Sequence, residues 1–229
     1  MGTVHRGRLR HPLPPAVAPG LRGDVPGPGP RGAVLHGKVH ETTQDCREVG
    51  SGESTHVVKA ALDDLGGGGT VHTVIEKYRA SEVPASVKVL EVEVQTISFD
   101  VFDSLAAGDI LIIDSSHVIM PYGDTLVELV TILPRLNSGV YVHIHDIFLP
   151  FDYQQNWGHK NKVYTEQWAV ALMLYGAERE WEVVWGSRIM KVEKASEILK
   201  MPSYPLRSGQ TEPEGGSLWI KKLRKARRA

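Results

Sequence analysis

The stretch Asp109–Phe151, DILIIDSSHVIMPYGDTLVELVTILPRLNSGVYVHIHDIFLPF, constrains the fold more than any other part of the chain. It holds two apolar runs, Asp109–Ile113 and Val140–Ile144, and each ends in a cluster of Asp, Ser and His. Between them Leu126, Val127, Val130, Leu133 and Leu136 recur at helical spacing. Strands this apolar belong in a sheet covered on both faces. Their exits then lie at one edge of that sheet, the edge where open α/β sheets bind ligands. Core packing gives no reason for DSSH at one exit and HIHD at the next.

The alternation continues on either side. Glu48–Gly52 reads as a turn after a short strand, and Ser54 or Thr55 as the cap of a helix. That helix has Val57, Val58, Ala61, Leu62 and Leu65 on one face and ends at Gly66–Gly69. Val71–Glu76 is a predicted second strand ending in an acid, Val87–Val94 a third, and Ile97–Leu105 a short helix. Pro134 is expected to shorten or bend the helix over 126–136. Glu166–Tyr175 reads as a helix, and Trp181–Trp185 with Ser217–Ile220 as a closing pair of strands. The predicted class is α/β: a mostly parallel, twisted sheet, helices on both faces and an antiparallel terminal strand.

Composition bounds the function. A length of 229 residues suits one domain, or one domain with a tail. No apolar run approaches the roughly 20 residues of a membrane helix. A net charge of −1 gives no reason to expect nucleic-acid binding. Cys46 is the only cysteine, which excludes an intrachain disulfide and a Cys-rich zinc site. These facts suit a cytoplasmic protein. No apolar h-region follows the first arginines, so no signal peptide is predicted. Residues 1–44 hold seven of the 14 prolines and eight glycines, and the segment 1–45 reads as disordered or as an aberrant start. Residues 46–222 form the expected domain, and 223–229 a basic, solvated tail. The full basic run, Lys221–Arg228, has six Lys/Arg.

In Glu48–Gly52, Gly50 and Gly52 let a ligand approach the backbone beside Ser51, at a helix start with free N–H groups. Two glycines are more often only a turn. Glu76, closing the next strand, strengthens the functional interpretation, because a carboxylate there accepts both hydroxyls of a ribose. The third glycine of a dinucleotide fingerprint is replaced by Thr55. This disfavours NAD and leaves room for a smaller nucleoside cofactor without a pyrophosphate.

The segments EVGSGEST, HTVIEKYR, DILIIDSSH, ILPRLNSGVYVHIHDIFLPFDY and GGSLWIKK resemble the class I S-adenosylmethionine-dependent methyltransferases over residues 46–222. The most specific part is the IDSSH…HIHDIFLP pair. The resemblance implies the Rossmann-like methyltransferase fold, with S-adenosyl-L-methionine as cofactor. Glu48, Gly50, Ser51 and Gly52 would surround its methionine part, Glu76 would bind the ribose, Gln95 would lie near the adenine, and Asp114 would end the fourth strand. The chain departs from the family at its front, where Thr42–Arg47 makes a polar first strand. Buried polar groups there need partners or cost about 1–3 kcal/mol each.

Three uses fit the strand exits. His117 or His145, with Asp146 alongside, could act as a general base for methyl transfer to oxygen. Asp114, His145 and Asp146 align with positions that hold magnesium in related enzymes, although His145 favours a softer divalent metal ion. The plain alternative is that strand-end Asp and His only serve loops. His143, inside its strand, is expected to be a core histidine. The aromatics of Phe148–Tyr153 and Trp157 suit either a wall excluding water or a hydrophobic plug. The expected activity is O-methylation of a small-molecule or sugar hydroxyl, with no membrane span, and a homo-oligomer is compatible with it. The competing assignments are an NAD(P)-binding oxidoreductase and an inactive methyltransferase-like protein.

Overall fold

The computed structural model describes residues 45–64, 70–78, 82–154, 162–198 and 215–224. Seven strands form one sheet: β1 (Asp45–Val49), β2 (Val71–Ile75), β3 (Lys88–Leu90), β4 (Ile110–Ile113), β5 (Tyr141–His145), β6 (Trp181–Gly186) and β7 (Ser217–Lys222). Their order is β3-β2-β1-β4-β5-β7-β6. The pairs among β1 to β5 are parallel, and β7 is antiparallel to both neighbours. This is the Rossmann-like methyltransferase arrangement expected, with the last strand inserted between β5 and β6 rather than at the margin. Successive crossovers run outward in opposite directions from β1 and β4, which makes their junction the topological switch point.

The register sets one line across the sheet. Val49 pairs with Ile75 on one side and Ile113 on the other, and Ile113 pairs with Ile144. The residues that follow, Glu76, Gly50, Asp114 and His145, therefore stand in a row at the carboxyl edge.

Both faces are covered. On one, α1 (Glu53–Asp64) packs Val58, Ala61 and Leu62 against Cys46, Ile110, Ile112, Tyr141 and Trp219. On the other, Val49, Ile75, Leu111, Ile113, Val142 and Ile144 meet α2 (Asp100–Asp103), the helix over 124–135 and α5 (Glu166–Gly176). A further helix, α6 (Ser187–Ile198), places Ile189 and Met190 beside Trp185; the sequence pattern gave no sign of it. Among the described residues no helix is long and apolar enough to cross a membrane.

Several expectations are corrected. The third strand is Lys88–Leu90 rather than Val87–Val94, and the following helix is only Asp100–Asp103. The helix over 124–135 is α3 (Asp124–Val127), a π-helical turn (Glu128–Ile132) and α4 (Leu133–Arg135). Pro134 has no N–H to give the carbonyl four residues back, and its ring crowds it. The wider turn before it fits that constraint without breaking the helix. Lys222 is no part of a solvated end: its buried ammonium meets Glu180 at 3.2 Å and lies over the Trp181 ring. Residues 1–44 and 225–229 lie outside the described residues.

The polar first strand forms at the centre of the sheet. Asp45 donates its backbone N–H to Asp109, and Arg47 reaches both Asp45 and Thr73. The partners that such a strand requires are thus largely supplied, although Arg47 Nε stays buried without one.

Candidate active site

Gly50 has φ +91°, and a Cβ built on it would lie 2.1 Å from the Asp114 carbonyl oxygen. Glycine is required there because β1 and β4 close together: Asp114 N–H donates to Val49 O, and Gly50 N–H to Ile75 O. Gly52 is different, since a Cβ on it would meet nothing within 4 Å. Its backbone faces open space at the start of α1. Ser54 and Thr55 do not cap this helix in the usual sense. Gly52 holds the cap position, and Thr55 Oγ1, in the first turn, accepts the Gly52 N–H at 3.1 Å.

Glu48 is placed differently from its expected ligand role. It lies inside β1, fully buried, on the face covered by α1. Ser54 and Thr55 donate to one carboxylate oxygen at 3.2 and 3.1 Å, and His72 lies 2.8 Å from the other. Strand alternation turns the side chain beneath the glycine turn. Its work is to tie β1, β2 and the first turn of α1 into one body.

Glu76 follows β2 and accepts a hydrogen bond from Ser51. The glycine turn and Glu76 therefore already touch. Gln95 sits in the turn after β3, with its amide donating to the Tyr122 carbonyl at 3.2 Å. The Gly50 turn, the open face at Gly52 and the half-buried carboxylate of Glu76 fit the methionine and ribose parts of S-adenosylmethionine.

At the exits of β4 and β5 Asp114, His117 and His145 converge. His117 Nε2 is 3.4 Å and His145 Nδ1 is 3.1 Å from Asp114 Oδ1. His117 is buried, stacks on Tyr164 at 4.6 Å between centroids, and places Nδ1 2.8 Å from Glu166 Oε2. It also has φ +60°, as Asp146 has φ +53°, a left-handed conformation that non-glycine residues rarely hold. The Thr165 and Glu166 N–H groups fix it by donating to its carbonyl. Such strain gathers at functional sites.

The electrostatics separate the histidines. Burial opposes charge on His117, but hydrogen bonds to Asp114 and Glu166 outweigh it and push its pKa up to about 10. In this state His117 already holds a proton at neutral pH, which argues against its expected role as a base. Burial likewise opposes charge on Asp114, yet the two imidazoles hold its carboxyl well below the usual range. His145 is half-exposed; burial lowers its pKa, Asp114 raises it, and the net direction is upward. His143 packs on Trp219 at 4.8 Å, and burial pushes its pKa down to about 3. It is the neutral core histidine anticipated.

The magnesium set inferred from the resemblance is not what the fold assembles. Ligand atoms of Asp114, His117 and His145 all lie within 4.8 Å of one another, and Asp146 is outside that group. Asp146 turns one oxygen to 3.6 Å from His145 Nδ1 and the other to 3.9 Å from Lys162. Two imidazoles and one carboxylate do not fit the oxygen octahedron of magnesium.

Sequence reasoning missed Glu166 and Glu128. Glu166 looked like an ordinary acid in a first helical turn, and its distance of 49 residues from His117 hides the pairing. Glu128, in the π-helical turn, is fully buried and accepts from Ser115 at 2.8 Å. Burial raises the carboxyl pKa of both acids. In the loop after β5, Phe148 and Leu149 are buried, and Phe148 N–H donates to Gln167, so these two are a plug. Trp157 lies outside the described residues.

The strand order and the glycine turn at its switch point are those of the Rossmann-like methyltransferase fold. Residues 47–147 match the family model described as a methyltransferase domain, so the resemblance to class I methyltransferases read from the motifs holds over this segment. No curated protein matches the chain. Among solved structures, a variant of the 16S rRNA (adenine(1408)-N(1))-methyltransferase from Catenulisporales acidiphilia matches at 12% identity and a TM-score of 0.40, covering 81% of this chain and 89% of that one. A likeness so distant says nothing about the acceptor.

Proposed function

We propose that this chain is an S-adenosylmethionine-dependent methyltransferase acting on a hydroxyl of a small molecule or sugar. The supporting observation is the row Glu76, Gly50, Asp114 and His145 on four neighbouring strands. On this reading a nucleoside cradle and a proton-handling cluster lie side by side at one sheet edge.

S-adenosylmethionine, when bound, supplies an electrophilic methyl group on a sulfonium. The chain's own part is binding, orientation and proton removal. Glu76 would exchange its Ser51 partner for ribose hydroxyls, and Gln95 would line the adenine side. Asp114 lies on the Nδ1 side of His145, and in this proposal Nε2 is the nitrogen that meets the acceptor. His145 is therefore the metal-free candidate for taking the hydroxyl proton, and Asp146 flanks it.

Calorimetry with S-adenosylhomocysteine and with NAD, followed by labelled-methyl transfer to catechol and sugar acceptors, tests this. Micromolar binding of S-adenosylhomocysteine and label in an ether product are expected. Tight NAD binding without S-adenosylhomocysteine binding would overturn the proposal.

A further inference from the structure

We propose that Asp114, His117 and His145 form a site for one divalent transition metal ion of the zinc, cobalt or iron(II) kind. The chemistry is that of two imidazoles and one carboxylate on one side of an ion, with positions left open. Their ligand atoms already lie within 4.8 Å of one another without an ion, so closure needs only small side-chain movements.

Three further observations point the same way. His145 Nδ1 is buried and makes no hydrogen bond, although Asp114 Oδ1 is only 3.1 Å away. The approach is too poorly aligned to be one, so this nitrogen is left without a partner beside Asp114. His117 presents Nε2 to the cluster while Nδ1 is held by the buried Glu166 at 2.8 Å. A carboxylate behind a ligating histidine is the usual device that fixes its tautomer and ring orientation. Finally, His117 is kept in a left-handed backbone conformation by hydrogen bonds from the start of α5. The ring is positioned at the expense of local strain.

The site differs from the magnesium set that the resemblance implies. His117 takes the place of Asp146, and the donor set changes from oxygen to mixed nitrogen and oxygen. With the ion bound, His145 is a ligand, and the base role given to it above belongs to the metal-free protein. The assignment shares the acceptor side of the methyltransferase proposal, but ion binding does not depend on methyl transfer.

The test uses the full chain, stripped with chelator and titrated with Co2+, read by its visible absorption and by calorimetry. S-adenosylhomocysteine binding is measured on the same samples. We expect one Co2+ per chain, displaced by Zn2+ but not by millimolar Mg2+. His117→Gln and Asp114→Asn should each weaken binding at least tenfold, and Glu166→Gln about tenfold. His56→Ala, at an exposed histidine on α1, should change nothing. No cobalt spectrum from the wild type, or one unchanged in His117→Gln, would overturn the site; the second result would place the ion on other histidines. Circular dichroism separates unfolding from ligand loss, and Asp114→Asn keeps the shape of the side chain. Wild-type protein that binds S-adenosylhomocysteine but no ion rejects this site alone. The reverse rejects the methyltransferase proposal alone.

Discussion

Gly50 and Asp114 touch through their backbones: the Asp114 carbonyl oxygen stands 2.1 Å from where a Gly50 Cβ would be. The contact joins the glycine turn to the Asp114–His117–His145 cluster at the switch point of the sheet. Gly50→Ala adds both a clash with main chain and a disfavoured φ of +91°. It should cost more than about 2 kcal/mol in urea unfolding and abolish measurable S-adenosylhomocysteine binding. Gly52→Ala, where a Cβ meets no protein atom, should keep wild-type stability while weakening the cofactor. Equal stability of wild type and Gly50→Ala would refute the argument.

Glu76 carries the ribose assignment. Glu76→Ala removes an acceptor that is only half-buried and bonded to Ser51. Calorimetry should show affinity for S-adenosylhomocysteine falling at least tenfold, about 1.4 kcal/mol, with the melting temperature of the free protein nearly unchanged. An unaltered affinity would move the ribose site elsewhere.

Glu48 should behave in the opposite way. Glu48→Ala strands the buried Thr55 hydroxyl and the buried His72 ring, and should destabilise the chain by about 3 kcal/mol. Glu48→Gln keeps an acceptor for Thr55 and should cost less. Chemical denaturation of the two variants gives the order directly. Wild-type stability in Glu48→Ala would remove the structural role given to this acid.

Glu128 makes stability depend on pH. Its folded pKa is raised, first by burial and then by the nearby Glu166. The folded state therefore holds a proton that the unfolded chain releases near pH 4.3. Stability from this group is greatest below that pH and falls as pH rises toward the folded pKa, by at most about 1.4 kcal/mol per unit. Glu128→Gln cannot ionise, so its melting temperature relative to wild type should climb from pH 5 to pH 8. A constant difference would mean that the acid is ionised in the folded protein.

Cys46 should be inert. It is fully buried between β2, β4 and α1, and burial raises its thiol pKa well above the usual value. Thiol reagents should label it only in denaturant. Rapid native labelling would show that the central strand opens easily.

Much of the fold was legible because the signals are local. Val57 to Leu62 repeat at helical spacing, Ile110–Ile113 is an unbroken apolar run, and Glu76 immediately follows β2. The third strand and the 100–103 helix came out shorter because their apolar residues pack as irregular chain. The 187–198 helix was missed because only Ile189, Met190 and Ile198 of it are buried, which is too sparse a pattern to see. For the site, the sequence brought forward Asp114, His117, His145 and Asp146 as neighbours but not which three of them converge. Register and backbone conformation turn Asp146 toward Lys162 and bring His117 inward.

The sequence alone determined the order of the strands and of the helices before β6, the glycine turn and the exits at which polar residues gather, since each is written within a few neighbouring residues. The tertiary structure decided which of those polar groups meet. Glu166 reaches His117 across 49 residues, and His72 reaches Glu48 across 24. Those pairings follow from sheet register and from how α1 and α5 dock on it. Hydrophobic spacing along the chain records that helices pack, but not which buried acid ends up facing which histidine.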